Sequence, residues 1–187
     1  MDSKDRLLDT AQGLFARRGV DAVGVQEIVD AAGVTKPSLY HHFGSKEGLI
    51  RALIDRGFGR LNRALDELGP YDRDLPWYLE RQARVWIDTV TAQPDWFRVQ
   101  LSLTFLPPEN PAAPLVTTGA RQLSDRFEAL FVEAAGQHGN MRGRQVLLAA
   151  GWLGALYHWT GLQLGGEDRT GETLHAGTRQ FLYGIFS

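Results

Sequence analysis

The stretch from residue 25 to residue 49, VQEIVDAAGVTKPSLYHHFGSKEGL, decides the fold. It reads as two short helices joined by a tight turn and followed at once by the start of a third. Ile28, Val29 and Ala32 share one face of the first helix, which ends at Gly33. Glycine can take the left-handed backbone that closes a helix without a Cβ clash. Val34 then turns inward, and the Thr35 hydroxyl is placed to cap a new helix on its free N–H groups. Pro37 falls in that helix's first turn, where no intrahelical donor is lost. The second helix, Lys36 to about Phe43, is too short to persist alone. Leu39 and Phe43, four apart, give it one apolar edge to bury against the first helix. Lys36, Ser38, Tyr40, His41 and His42 are left pointing largely outward.

A short helix that buries one edge and displays Lys, Ser, Tyr and His has the chemistry of a major-groove reader. Tyr40 and Ser38 offer hydrogen bonds to phosphates or base edges, and Lys36 supplies charge. Ser45 can cap the helix that follows. Lys46 and the N–H groups of that first turn would then form a second phosphate site. His41 and His42 also suggest a metal pair. However, adjacent helical residues point about 100° apart, and no Cys exists to complete a site.

The run AGVTKPSLYHHFGSKEGL resembles the DNA-binding signature of the TetR (tetracycline repressor) family of transcriptional regulators. That signature is an Ala-Gly-Val-Ser/Thr turn, a small recognition helix with Leu/Phe-Tyr-x-His/Tyr-Phe, then Ser/Asn-Lys-Glu-x-Leu. The close match covers about Arg6 to Leu53. The resemblance implies that Gln26, Thr35, Lys36, Pro37, Ser38, Tyr40 and His41 face double-stranded DNA, and that Lys46 anchors a phosphate. Two positions depart from the pattern. Pro37 stands where relatives often have Gly or Ala, so contacts there become apolar, as to a thymine methyl. Val25 replaces the usual capping Thr or Ser, leaving Gly24 or the backbone as the cap.

The chain has 187 residues, 43% of them hydrophobic and 10% aromatic, enough for a sizeable core and too apolar for disorder. Its formal charge is −2, so no global positive field draws in nucleic acid. Between Gly33 and Arg51, however, Lys36, Lys46 and Arg51 face one acid, Glu47. Attraction to DNA must therefore come from a local patch. Without Cys there is no disulfide framework, and the start MDSKDRLLD lacks the apolar run of a signal peptide. The expected location is the cytoplasm.

Helical spacing of Leu7, Leu8, Ala11, Leu14 and Phe15 predicts a first helix from Asp2 or Ser3 to Arg18, stopped by Gly19. It completes a three-helix unit of marginal size. A fourth helix runs from Lys46 to about Leu68 on a stripe from Ile50 to Leu68. A rod shared by two cores can pass movement between them. Gly57 and Gly59 either soften that rod or admit a close crossing. GPYDRDLP, residues 69–76, reads as a linker. Further helices are expected over residues 77–92, 95–105, 115–135, 142–164 and 172–186, with no alternating strand pattern. The expected fold is all-α: a helix-turn-helix DNA-binding unit over residues 1–48, then a larger helical effector-binding and dimerisation domain over 49–187.

Residues 145–166 contain no Asp, Glu, Lys or Arg and are long enough to span a bilayer. Gln145, His158, Gln163, the many glycines and the lack of basic flanks argue against a membrane, and a wholly buried helix fits better. Leu147, Gly151, Gly154, His158, Gly161 and Gly165 form one narrow strip that suggests close approach of another helix. His158 reads as a core or interface histidine. The last helix adds Leu174, Thr178, Phe181, Leu182 and Ile185. Together the pair would supply half of a four-helix dimer interface, where the resemblance also puts it. The resemblance further implies a small-molecule pocket among Trp86, Trp96, Phe97, Leu101, Phe105, Phe127, Trp152 and Tyr157. The same side chains read equally as ordinary core. Few charges punctuate that lining, so an effector should be lipophilic or aromatic.

The leading expectation is a homodimeric repressor that binds a palindromic operator and is released by such an effector, needing no cofactor or metal. An enzyme is disfavoured because the chain lacks a nucleophile elbow, a phosphate-cradling G-x-x-x-x-G-K and metal-spaced histidines. A helical protein-binding adaptor is the remaining alternative.

Overall fold

The computed structural model describes residues 2–167 and 172–186, excluding the side chains of Glu172, Ile185 and Phe186. Among the described residues every regular element is helical: α1 (Ser3–Arg18), α2 (Val25–Ala32), α3 (Lys36–Phe43), α4 (Lys46–Asp66), α5 (Leu75–Ala92), α6 (Pro94–Thr104), α7 (Thr117–Ala135), α8 (Gln145–Leu164) and α9 (Glu172–Phe186). The chain forms two compact units, Met1–Gly59 with Gln93–Gly119 and Arg60–Ala92 with Ala120–Ser187.

In the first unit α1 is capped by Asp2, whose side chain accepts the Lys4 N–H, and Gly19 closes it at φ +79°. Leu7, Leu8, Ala11 and Phe15 are buried, and α2, α3 and α6 all pack on this helix. The cover from α6 has no local signature in the sequence, because it joins segments some ninety residues apart. Asn110, beyond α6, donates to Asp21 at 3.1 Å and ties down the same edge. The choice left open at Gly57 is resolved as a close crossing. The Trp96 indole nitrogen lies 1.9 Å from where a Cβ on Gly57 would stand. Gly119 likewise makes room for the Phe58 ring, and Phe58 meets Trp96 edge to face at 5.1 Å.

The second unit is built on α5, against which α8 and α9 pack. Its core is aromatic but carries paired polar atoms. The Trp152 indole donates to Gln82 Oε1 at 2.7 Å, and the Trp86 indole to Thr160 Oγ1 at 2.8 Å. Satisfied in this way, buried polar groups fix rotamers instead of costing stability. The segment read as a plain linker is anchored. Tyr71 is buried, Tyr78 donates to the Gly69 carbonyl at 3.0 Å, and the two rings meet edge to face. Helix α5 starts two residues before the expected Trp77, because Asp74 accepts the Trp77 N–H and Pro76 is tolerated in the first turn.

Helix α8 is not wholly buried, as its composition had suggested. Leu148, Ala149, Trp152, Leu156 and Thr160 face inward, whereas Leu147 is 74% exposed and Gly151, Gly154, His158 and Gly161 are also exposed. Nothing lies within 4 Å of a Cβ placed on Gly154 or Gly161. The close α8–α9 approach falls instead at Gly177, where such a Cβ would meet the Trp159 ring at 2.5 Å.

Candidate nucleic-acid interface

The turn between α2 and α3 is held by backbone chemistry. Gly33 adopts the left-handed conformation (φ 62°, ψ 41°), and its N–H and that of Val34 satisfy the last carbonyls of α2. Gly24 occupies the cap of α2 with no side-chain hydrogen bond, as the Val25 departure implied. Thr35 accepts from the Ser38 N–H through its side chain and caps α3. Leu39 is fully buried, so α3 is pinned by one residue at its middle and Phe43 is half-buried at its end.

That pin fixes what remains outside. Thr35, Lys36, Pro37, Tyr40 and His41 are exposed, with Tyr40 at 49%, and Ser38 is half-exposed. Gln26 is exposed on α2 and donates to Asp30 Oδ1 at 2.7 Å, so its amide is held along the helix. The side chains expected to face DNA on α3 therefore share one uncovered edge. His42 departs from the outward set. It is half-buried and shares a 2.8 Å hydrogen bond with Ser3 Oγ, which makes it a brace to α1. Residue type does not distinguish the exposed His41 from the half-buried His42, and only the position of α1 separates them.

The start of α4 is crowded. Ser45 Oγ accepts the Gly48 N–H at 3.0 Å. The Glu47 carboxylate is held below its ordinary range, first by its own backbone N–H, then by the Ser45 hydroxyl and more weakly by Lys46, with burial acting in the opposite direction. An acid thus already occupies part of this positive helix end. Lys46 is half-buried with its ammonium 5.9 Å from the centre of the Phe15 ring. It can reach out to a phosphate while its stem covers apolar surface. A Cβ on Gly48 would stand 2.0 Å from the Phe43 carbonyl oxygen, so only glycine lets α4 begin so close to α3.

The other expected residues are distributed as follows. Trp86, Phe127 and Tyr157 cluster in the second unit, with ring centres 6.3 and 5.4 Å from Trp86, and Trp152 is buried in that unit beside Gln82. Trp96 and Phe97 are buried in the first unit, 4.7 Å apart. Leu101 is half-buried, and Phe105 is 81% exposed just past the end of α6. Thr178 and Leu182 are covered within the second unit, and Phe181 meets Phe131 edge to face and Trp152 at a tilt. Ile185 lies outside the described side chains. Missing from the sequence reading is a pocket of about 450 Å³ between the start of α5 and α9. Its charged walls read as solvated helix faces. Among the described residues there is no cluster of metal-ligating side chains, and no helix is long and apolar enough to cross a membrane.

An all-helical chain whose helix-turn-helix leaves a polar recognition edge uncovered is the class of protein defined here. Residues 7–53 match the family model for bacterial regulatory proteins of the tetR family. Over 67 residues the chain is 45% identical to the HTH-type transcriptional repressor KstR2 of Mycolicibacterium smegmatis, a match covering 34% of this chain and 33% of that relative. The chain thus spans about a third of the length of that curated relative. A TetR-like transcriptional regulator from Rhodococcus sp. RHA1 superposes with a TM-score of 0.79 at 21% identity, covering 98% of this chain and 95% of that one. AibR in complex with isovaleryl coenzyme A and operator DNA superposes at 0.70 and 23% identity, covering 99% and 98%. The TetR resemblance is therefore shown, by sequence in the N-terminal segment and by fold along the whole chain.

Proposed function

We propose that the chain is a transcriptional repressor that binds a palindromic operator as a homodimer and loosens from it when a small apolar effector binds. The observation that carries this reading is the uncovered edge of α3, where Lys36, Pro37, Tyr40 and His41 project around the buried Leu39. Two such helices placed about 34–36 Å apart would enter successive major grooves. Residues 1–48 would contact DNA, and residues 49–187 would carry dimerisation and effector response. The exposed strip of α8, Leu147 to Gly161, supports a partner face made by a second copy, with small residues that allow a close crossing. Thr178 and Leu182, covered within the chain, are not carried into that face. That KstR2 is a repressor supports the sign of regulation, and the isovaleryl coenzyme A bound by AibR, with its branched apolar acyl group, supports an effector with an apolar part. The coupling between effector and DNA would be about 1–3 kcal/mol.

The test is a gel-shift titration against fragmented genomic DNA of the source organism. Selective retention of a few fragments, falling steeply with salt, is expected. Uniform retention, or none at low salt, counts against the reading. Replacing Lys46 with Ala should weaken binding to all sequences and reduce the slope of log K against log salt by about one.

A further inference from the structure

The geometry points to a binding site for an apolar monocarboxylate between the start of α5 and the flank of α9, in the pocket of about 450 Å³. That volume lies in the range of small-molecule sites. Its body is apolar and aromatic: Pro76 and Trp77 from α5, Leu182 and Tyr183 from α9.

The polar groups in its walls are unequal. Asp74 is engaged as the cap of α5, accepting the Trp77 N–H at 3.0 Å. Glu80 faces His175 Nδ1 at 3.0 Å. Both acids thus have partners in the chain. Arg179 instead donates to the neutral Tyr183 hydroxyl at 2.7 Å and lies 5.7 Å from that ring's centre. Its positive charge meets a neutral acceptor. One residue earlier, Thr178 lines the same pocket; the residue is 2% exposed, and its buried hydroxyl has no hydrogen-bond partner among the described residues. A buried hydroxyl left in this state costs stability that an acceptor from a ligand would restore. Among the described residues the guanidinium is answered by a phenol, and with a buried hydroxyl in the same lining it suits a carboxylate head on an apolar tail.

The site lies apart from the exposed strip of α8. Residues of α9 that touch α8, Gly177 and Phe181, sit on one flank. His175, Arg179 and Tyr183 sit on another, by the rotation of about 100° per residue.

The test uses the full chain without DNA, titrated with decanoate below its micelle concentration by calorimetry, beside decanol and decylamine. Decanoate should bind, decanol more weakly and decylamine least. Arg179→Gln should weaken decanoate roughly tenfold or more, the range for a hydrogen bond to a charged group, while leaving decanol affinity unchanged. Thr178→Val should weaken decanoate several-fold. Preference for decylamine would overturn the assignment in favour of a cation held by Asp74, Glu80 and the two rings. Decanoate binding that ignores both substitutions, or no binding, would overturn it outright. None of these outcomes alters the operator reading, which DNA retention tests separately.

Discussion

Gly48 is the residue on which the geometry of the joint between α3 and α4 turns. The Phe43 carbonyl occupies the space a Cβ would need, and backbone cannot swing aside as a flexible side chain can. Gly48→Ala should destabilise the first unit by about 1–3 kcal/mol, in the range of forced overpacking, seen as a lower urea midpoint with an unchanged slope. Its neighbour Glu47 makes the same joint sensitive to acid. Its carboxyl ionises more readily in the folded chain than at its ordinary value of 4.5. The stability it contributes is therefore fully present above about pH 4.5 and is lost as pH falls through the lower folded value. Replacing Glu47 with Gln should flatten the acid limb of a stability–pH curve followed by circular dichroism. A limb of unchanged steepness would remove Glu47 as its source.

At the scale of elements, what could be read in advance was local chemistry. Asp2, Gly19, Gly33, Thr35 and Ser45 act within a turn of where they stand, so the bounds of the first three helices follow from their caps. The exposed edge of α3 is legible for the same reason, since Leu39 and Phe43, four apart, set which side turns inward. What could not be read depends on distant partners. The packing of α6 on α1, the anchoring of Tyr71 and the bracing role of His42 have no local signature. Nor does the division of Trp86 and Trp96 between separate cores. The arginine pocket has no signature in the sequence, because Arg179, His175 and Glu80 resemble any solvated helix face until α5 and α9 are side by side. One such long-range pair gives a sharp expectation. Trp152→Phe leaves the Gln82 carbonyl oxygen buried without its donor, which should cost about 1–3 kcal/mol. Adding Gln82→Leu should recover part of that loss in a double-mutant cycle.

For the whole molecule, the proposed repressor needs two copies, and the exposed part of α8 is where one copy leaves its apolar side chains open. Leu147→Glu places a charge on that strip without touching the interior of the chain. It should leave the melting temperature of the isolated chain nearly unchanged and shift sedimentation toward the monomer. Specific DNA retention should fall with it, because a single reading helix contacts only half a site. A variant that stays dimeric and retains the operator would move the partner face elsewhere.

The first unit is not continuous in sequence, because α1 is roofed by α6. Someone wishing to transplant this helix-turn-helix unit onto a different protein would find that a cut after α4 strips the roof away. The graft would have to include residues 93–119 as well. On the ribosome the same arrangement means that the unit cannot finish folding until well over half the chain has been synthesised.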